Sequence, residues 1–299
     1  MARVIVVGSI NQDATVTVDR FPQPGETLYT RSLTYRLGGK GANQAAAAAH
    51  AGAATSFVGR VGSDGAGPAL RAELAGHGVD VGSLLVDEGT TGTAFITVSA
   101  QGENTILIDA GANGRVTADQ AAAVAPGEGD IVVLQGEVPP QTNTEVIALA
   151  RAAGATVVLN IAPVYPIAPQ DLAAVDVLVV NETEAGLVLG REAPHGAAEA
   201  REVARALAEL GPARVLVTLG AAGAVWRDGE RSAHVEAVDA GPVVDTTGAG
   251  DATVGALAAA LSMGLDFERA VAEGMRAGSA AVLAQGAASS YGGITPIVP

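Results

Sequence analysis

Cysteine is absent from all 299 residues, which excludes disulfides, Cys-ligated zinc, iron–sulfur clusters and thiol catalysis. Lysine is nearly absent: Lys40 stands alone, while arginine is used throughout. Positive charge is in short supply, with 17 Lys and Arg against 32 Asp and Glu and a net charge of −15. That balance argues against a dedicated nucleic-acid binder, which needs clustered Lys and Arg to neutralise phosphates. Aromatics amount to 3%, a shortage that bears on any reading requiring an apolar slot for a nucleobase. Long hydrophobic runs are missing too. The Ala45–Ala49 stretch is too short to span a bilayer, and Gly52 ends it. At the start, Arg3–Gly8 reads as a buried strand rather than a secretory signal. The expectation is a soluble, cytoplasmic protein.

Several motifs are also missing. No Gly-x4-Gly-Lys-Ser/Thr phosphate loop occurs, and the Gly-x-Gly-x-x-Gly dinucleotide spacing fails after Val7 and at Gly248–Gly250. No Gly-x-Ser-x-Gly elbow is present, which argues against a Ser-His-Asp hydrolase. His50, His77, His195 and His234 do not fall at metal-ligand spacings and read as scattered surface or packing residues.

What is present is the makings of a large core, since hydrophobic residues reach 48% and charged residues 16%. Short apolar runs at Val4–Val7, Thr55–Val58, Ile131–Leu134, Thr156–Leu159, Val177–Val180 and Val215–Thr218 read as strands. Between them lie helix-like stretches at Ala42–Ala51, Pro68–Leu74, Thr144–Ala153, Ala197–Leu210, Ala249–Met263 and Phe267–Leu283. The alternation predicts an α/β fold with a mostly parallel sheet covered by helices on both faces. Ala14–Val18 with Leu28–Leu37, and Thr91–Ser99 with Asn104–Asp109, instead alternate apolar and polar residues. They predict a small antiparallel sheet, a lid made of discontinuous segments at about 11–37 and 90–109, inserted into a single domain spanning 1–299. No linker and no internal repeat divides the chain.

Four segments carry chemistry. Asp245-Thr246-Thr247-Gly248-Ala249-Gly250-Asp251 leads directly into a helical run, so its glycine-rich turn exposes unpaired N–H groups suited to a phosphate. A carboxylate there repels an anion. Asp251 is therefore either a helix cap or a base beside a transferring phosphoryl group. In Gly38-Gly39-Lys40-Gly41-Ala42-Asn43-Gln44-Ala45 the glycines let backbone approach a ligand, and Asn43 projects from the first helical turn. A plain strand-to-helix turn is the alternative. Asn11-Gln12-Asp13 follows the first strand, where ligands meet a parallel sheet, or forms an ordinary Asx turn. Asn181-Glu182-Thr183-Glu184 follows another strand and also reads as a helix cap with Glu184 at its third position.

Together these segments resemble the ribokinase-like (PfkB) family of carbohydrate kinases, from Val4 to about Ser290. Phe21–Thr27, Gly111-Ala112-Asn113 and Asn160-Ile161-Ala162-Pro163 carry the same resemblance. It implies a three-layer α/β/α kinase that transfers the γ-phosphoryl of ATP to the 5-hydroxyl of D-ribose or a close pentose. Mg2+ would accompany the ATP, a monovalent cation, K+, would assist, and the enzyme would be a homodimer joined through its lids. Asp251 matches the catalytic base, and Gly248, Ala249 and Gly250 match the anion hole. Asn11, Asp13, Gly39, Lys40, Gly41, Asn43 and Glu137 match the sugar-binding positions. Asn181 and Glu184 match the motif that orders magnesium and phosphate, and Thr218, Gly220, Ala221 and Gly223 match the nucleotide turn. Asp245, Thr247, Ala281, Ala284, Gly286 and Ser290 match the monovalent-cation site. The chain departs from the family pattern in three places: Ala252-Thr253-Val254-Gly255 follows Asp251, Met275 aligns with an adenine-side asparagine, and Ala284 replaces an arginine. Rival readings are another acceptor, such as deoxyribose, fructose or a nucleoside, and a non-catalytic sugar-binding regulator.

Overall fold

The apolar runs read as two-sided strands form the middle of a nine-stranded sheet among the described residues. The computed structural model describes residues 2–298. The first half of the chain gives strands β1 (Val4–Val7), β2 (Asn11–Thr17), β3 (Ser32–Gly38), β4 (Thr55–Gly62), β5 (Leu84–Asp87), β6 (Gly92–Val98), β7 (Asn104–Asp109) and β8 (Ile131–Gln135). The second half gives β9 (Thr156–Asn160), β10 (Val177–Asn181), β11 (Arg214–Thr218), β12 (Ala224–Asp228) and β13 (Arg231–Val235). Helices are α1 (Lys40–His50), α2 (Ala66–Gly76), α3 (Ala118–Ala123), α4 (Pro140–Ala152) and α5 (Pro169–Ala173). They continue with α6 (Glu182–Leu189), α7 (Gly196–Ala208), α8 (Ala249–Ser262) and α9 (Phe267–Ala281).

The large sheet runs β13-β12-β11-β10-β9-β8-β1-β4-β5. Its pairs are parallel except where β12 meets β11 and β13. Third from the β5 edge, β1 is fully buried on both faces, each valine there worth about 1.5–3 kcal/mol relative to an exposed one. Val4 and Val6 pack under α1, α2, α8 and α9, whereas Ile5 and Val7 pack under α3 to α7. This is the expected three-layer arrangement. Beyond the six strands read from the sequence, β5, β12 and β13 extend the sheet at its edges, and the short α3, α5 and α6 add cover.

The second sheet has the order β3-β2-β6-β7, close to the expected lid segments. Its outer pairs are antiparallel, as expected, while the central pair, β2 and β6, runs parallel. The reason is topological. β2 leaves the large sheet after β1, and β6 leaves it after β5, so both rise from one edge in one direction.

Small residues set the approach of α8 to α1. A side chain on Gly255 would meet the Gln44 carbonyl oxygen at 2.4 Å, so only glycine allows this contact. The close approach sets Asp251, one turn earlier on α8, against the start of α1.

Candidate active site

The parallel strands end along one edge, and that edge gathers the motifs. Gln135 and Asn160 are cross-strand partners there, and so are Asn181 and Thr218. This is where open parallel sheets bind ligands.

Asp251 is the third residue of α8, whose N-cap is Gly248 in a left-handed conformation (φ 78°). No side chain caps this helix, so the capping alternative for Asp251 fails. The residue is 8% exposed, and its carboxylate points back to α1. Asn43 Nδ2 donates to one oxygen and Gln44 Nε2 to the other, each at 3.0 Å. The first-turn amides of α8 lack intrahelical partners and carry the positive end of the dipole. The turn itself is pinned from behind, because the fully buried Tyr291 donates its hydroxyl to the Gly248 carbonyl at 2.8 Å.

Asp13 reaches the same region from β2. Its carboxylate lies where a side chain on Gly38 would be, 2.1 Å from the Cβ position, so glycine at 38 makes room for it. Burial, the Glu137 charge and the Asp251 charge push the Asp13 carboxyl up to about 7. Glu137, just after β8, accepts from Ser9 Oγ at 2.6 Å and from the Lys40 backbone N–H at 3.1 Å. Gly39, with φ 88°, is the N-cap of α1. Gly41 packs on the Gly8 backbone too closely to admit a side chain. Burial pulls the Lys40 ammonium down, but the charges of Asp251, Glu137 and Glu184 outweigh it and hold it above the usual lysine range. The lone lysine thus lies in the combined field of three carboxylates.

Asn11 is oriented by Asn113, which donates from Nδ2 to Asn11 Oδ1 at 2.7 Å and accepts from the Ile10 N–H at 3.0 Å. A cavity of about 350 Å³ opens beside it, lined by Asn11, Asn113, Glu137 and Ile108 among others. A larger apolar groove of about 470 Å³, between Tyr165, Leu172 and Leu187, shares none of the predicted site residues.

On the other side of Lys40, Asn181 and Glu184 form a reciprocal capping box at the start of α6, with bonds of 2.8 and 2.9 Å. The structural alternative for this motif is therefore real. Burial and the Asp251 charge raise the Glu184 carboxyl, and this exceeds the lowering by the Asn181 N–H and by Lys40. Among the described residues no three Asp, Glu or His side chains gather as a metal cage. A magnesium ion held mainly by phosphate oxygens needs few protein carboxylates, and Glu184 could supply one. Thr218 ends β11 beside Asn181, and the turn through Gly220 and Ala221 to Gly223 is exposed at its tip.

Asp245 Oδ1 accepts from the Thr247 N–H and hydroxyl, and Oδ2 from the Gly286 N–H at 2.8 Å. Burial raises this carboxyl, yet those hydrogen bonds outweigh it and hold it below the usual range. The bonds tie the glycine turn before α8 to the segment after α9, which holds Ala284 and the buried Ser290 between Ala281 and residue 298. Asp245 Oδ2, which accepts a single bond, keeps a lone pair that could face a cation. Met275 is not brought to the polar cluster. It lies buried on α9 in the core.

Sequence reasoning assigned no role to Ser9, Gln44, Asn113, Asn160 or Tyr291. Gln44 had a readable signal: Lys40, Asn43 and Gln44 stand at i, i+3 and i+4 on a helix whose other residues, apart from Gly41 and the terminal His50, are alanines.

A family model described as pfkB family carbohydrate kinase matches residues 1–291. The ribokinase of Staphylococcus aureus (strain COL) is 36% identical over 293 residues, covering 96% of each chain. That of Bacillus subtilis (strain 168) is 36% identical over 290 residues, 96% of this chain and 95% of the other. Among solved structures, Arabidopsis thaliana ribokinase complexed with ribose and ATP is 34% identical with a TM-score of 0.88, covering 99% and 96% of the two chains.

Proposed function

The chain belongs to the PfkB family of carbohydrate kinases, and on that premise we propose that it is an ATP-dependent kinase for the 5-hydroxyl of D-ribose. One observation carries the reading at atomic level. Asp251 sits in the first turn of α8, beside an open glycine turn, with both carboxylate oxygens oriented by amides. A binding module has no need of a buried base at that place.

Asn11, Asp13, Gly39, Lys40, Gly41, Asn43 and Glu137 would hold the pentose, Asp13 by accepting hydrogen bonds from neighbouring hydroxyls. Asp251 would take the proton from the 5-hydroxyl as it attacks. The amides of Gly248, Ala249 and Gly250 would receive the charge developing on the transferred group. Thr218, Gly220, Ala221 and Gly223 would seat the nucleotide. Asn181 and Glu184 would order Mg2+, which neutralises phosphate charge when bound. K+ at Asp245, Thr247, Ala281, Ala284, Gly286 and Ser290 would supply a fixed charge behind the anion-hole turn.

The whole chain would act as one kinase domain with the β2–β3 and β6–β7 segments as its lid, excluding water from the transfer. Tyr35, Ala14, Phe95 and Leu107 form a row across that sheet. Phe95 is 53% and Leu107 74% exposed, an apolar face suited to a second lid in a homodimer. No helix among the described residues is long and apolar enough to cross a membrane, and the substrates proposed are those of the cytoplasm.

ADP release measured over a panel of pentoses, hexoses and nucleosides tests the reading. D-Ribose should give the highest kcat/KM. A nucleoside or hexose ahead of it would overturn the acceptor, and silence across the panel would overturn the kinase.

A further inference from the structure

The amide groups behind Asp251 have only one workable orientation, and it is dictated from the central sheet. Asn160 ends β9, and its Nδ2 donates to the Val179 carbonyl on β10 at 3.1 Å. A backbone carbonyl can only accept, so the Asn160 amide must present its Oδ1 in the other direction. That oxygen accepts from Gln44 Nε2 at 3.1 Å. The same Nε2 donates its second hydrogen to Asp251 Oδ1 at 3.0 Å. Turning the Gln44 amide over would place its oxygen against two acceptors, Asn160 Oδ1 and Asp251 Oδ1, which repels on both sides. Gln44 is 0% and Asn160 7% exposed, so water does not compete freely for these bonds.

We propose that Val179, Asn160 and Gln44 form an orientation relay that holds the Asp251 carboxylate in the plane from which it meets the sugar hydroxyl. The proposal rests on the kinase reading above and deepens it. Gln44 and Asn160 are positioning residues, because they act on the sugar only through Asp251. Asn43 supplies the second fixed bond, from Nδ2 to Asp251 Oδ2. With one donor on each oxygen the carboxylate cannot rotate without losing both bonds. Removing the Gln44 donor frees it to turn about the Asn43 contact. A base displaced by about an ångström loses rate on the order of a hundredfold without losing ligand affinity. Each donor is a neutral amide, so the relay orients the base without consuming its charge.

The experiment compares Gln44→Met, Asn160→Leu and the double variant with wild type, using ATP, D-ribose and Mg2+. Gln44→Met keeps the side-chain length and removes the donor. It should lower kcat roughly ten- to hundredfold while KM for ribose and for ATP stays within about threefold. Asn160→Leu should lower kcat less, because Gln44 keeps its own bond to Asp251. The double variant should match Gln44→Met alone, since Asn160 acts only through Gln44. Unchanged kcat in a folded Gln44→Met protein overturns the relay. So does a double variant whose loss is the product of the two single losses. Thermal unfolding confirms that each variant is folded. If Gln44→Met unfolds, Gln44→Glu takes its place, because it keeps the shape but sets an acceptor against Asp251, and the same split in kcat and KM applies. Inactive wild type strikes the kinase reading itself, whereas active wild type with unaffected variants strikes the relay alone.

Discussion

Replacing Asp13 by asparagine should stabilise the ligand-free protein at pH 8, although it removes a charged group from the site. The carboxyl is held at about 7 instead of its ordinary 3.8, by burial first and then by the charges of Glu137 and Asp251. Each unit is worth about 1.4 kcal/mol, which sets an upper bound of about 4 kcal/mol on the cost of ionising it in the fold. Solvent reaches part of the group and three carboxylates share the repulsion, which leaves about 1–3 kcal/mol. Between about pH 4 and 7 the native state holds a proton that the unfolded chain has lost. The stability linked to Asp13 is therefore present below about pH 4 and lost as pH rises through about 7. Asparagine does not titrate. The advantage of Asp13→Asn should open above pH 4, be complete near pH 7, and reach about 2–8 °C in Tm at pH 8. The same variant should bind ribose more weakly by about 1.5–3 kcal/mol, through loss of a charged acceptor. Thermal unfolding from pH 5 to 8, with ribose titrations alongside, reads both effects. A Tm difference that does not change with pH, or a variant less stable than wild type at pH 8, would refute the reasoning.

Three further outcomes are expected. Tyr291→Phe removes one of the two donors to the Gly248 carbonyl, and should cost about 1–2 kcal/mol of stability. It should also reduce kcat several-fold, and unchanged turnover would mean that the turn is held without Tyr291. Potassium should raise activity through the loop tied by Asp245, and equal rates in potassium and a bulky organic cation at matched ionic strength would contradict this. Sedimentation should give a dimer at micromolar concentration, and Leu107→Glu, which puts a charge on the exposed lid row, should give a monomer.

The doubly buried strands were legible because β1, β8, β9, β10 and β11 are unbroken apolar runs flanked by helical segments. β12 and β13 were not, although Gly229, which opens the two-residue loop between Asp228 and Arg231 with a positive φ of 58°, is a hairpin turn signal. Arg227 and Asp228 interrupt the apolar pattern there, and an edge hairpin needs only one well-buried face. The parallel pairing of β2 and β6 depends on which edge the strands leave, which no local pattern encodes. In the site, the glycine turns and their acidic residues stand out as sequence. The convergence of Asp13, Glu137 and Asp251 does not, because the three come from separate elements and meet only after the sheet has formed. Gln44, Asn160 and Tyr291 act through polar contacts across the fold, with sequence separations of 116, 207 and 43 residues for their bonds.

The central claim is that Asp251 takes a proton from the ribose 5-hydroxyl. Wild type and Asp251→Asn, both folded, are compared for turnover of ATP and D-ribose, and the product is identified by phosphorus NMR. Asparagine keeps the shape of the side chain and removes the proton acceptor. Wild type should give ribose phosphorylated at the 5-position, and the variant should lose on the order of 10²–10⁴-fold in kcat with both substrates still bound. A folded variant that keeps more than about a tenth of wild-type turnover, or a product phosphorylated elsewhere on the sugar, would contradict the account.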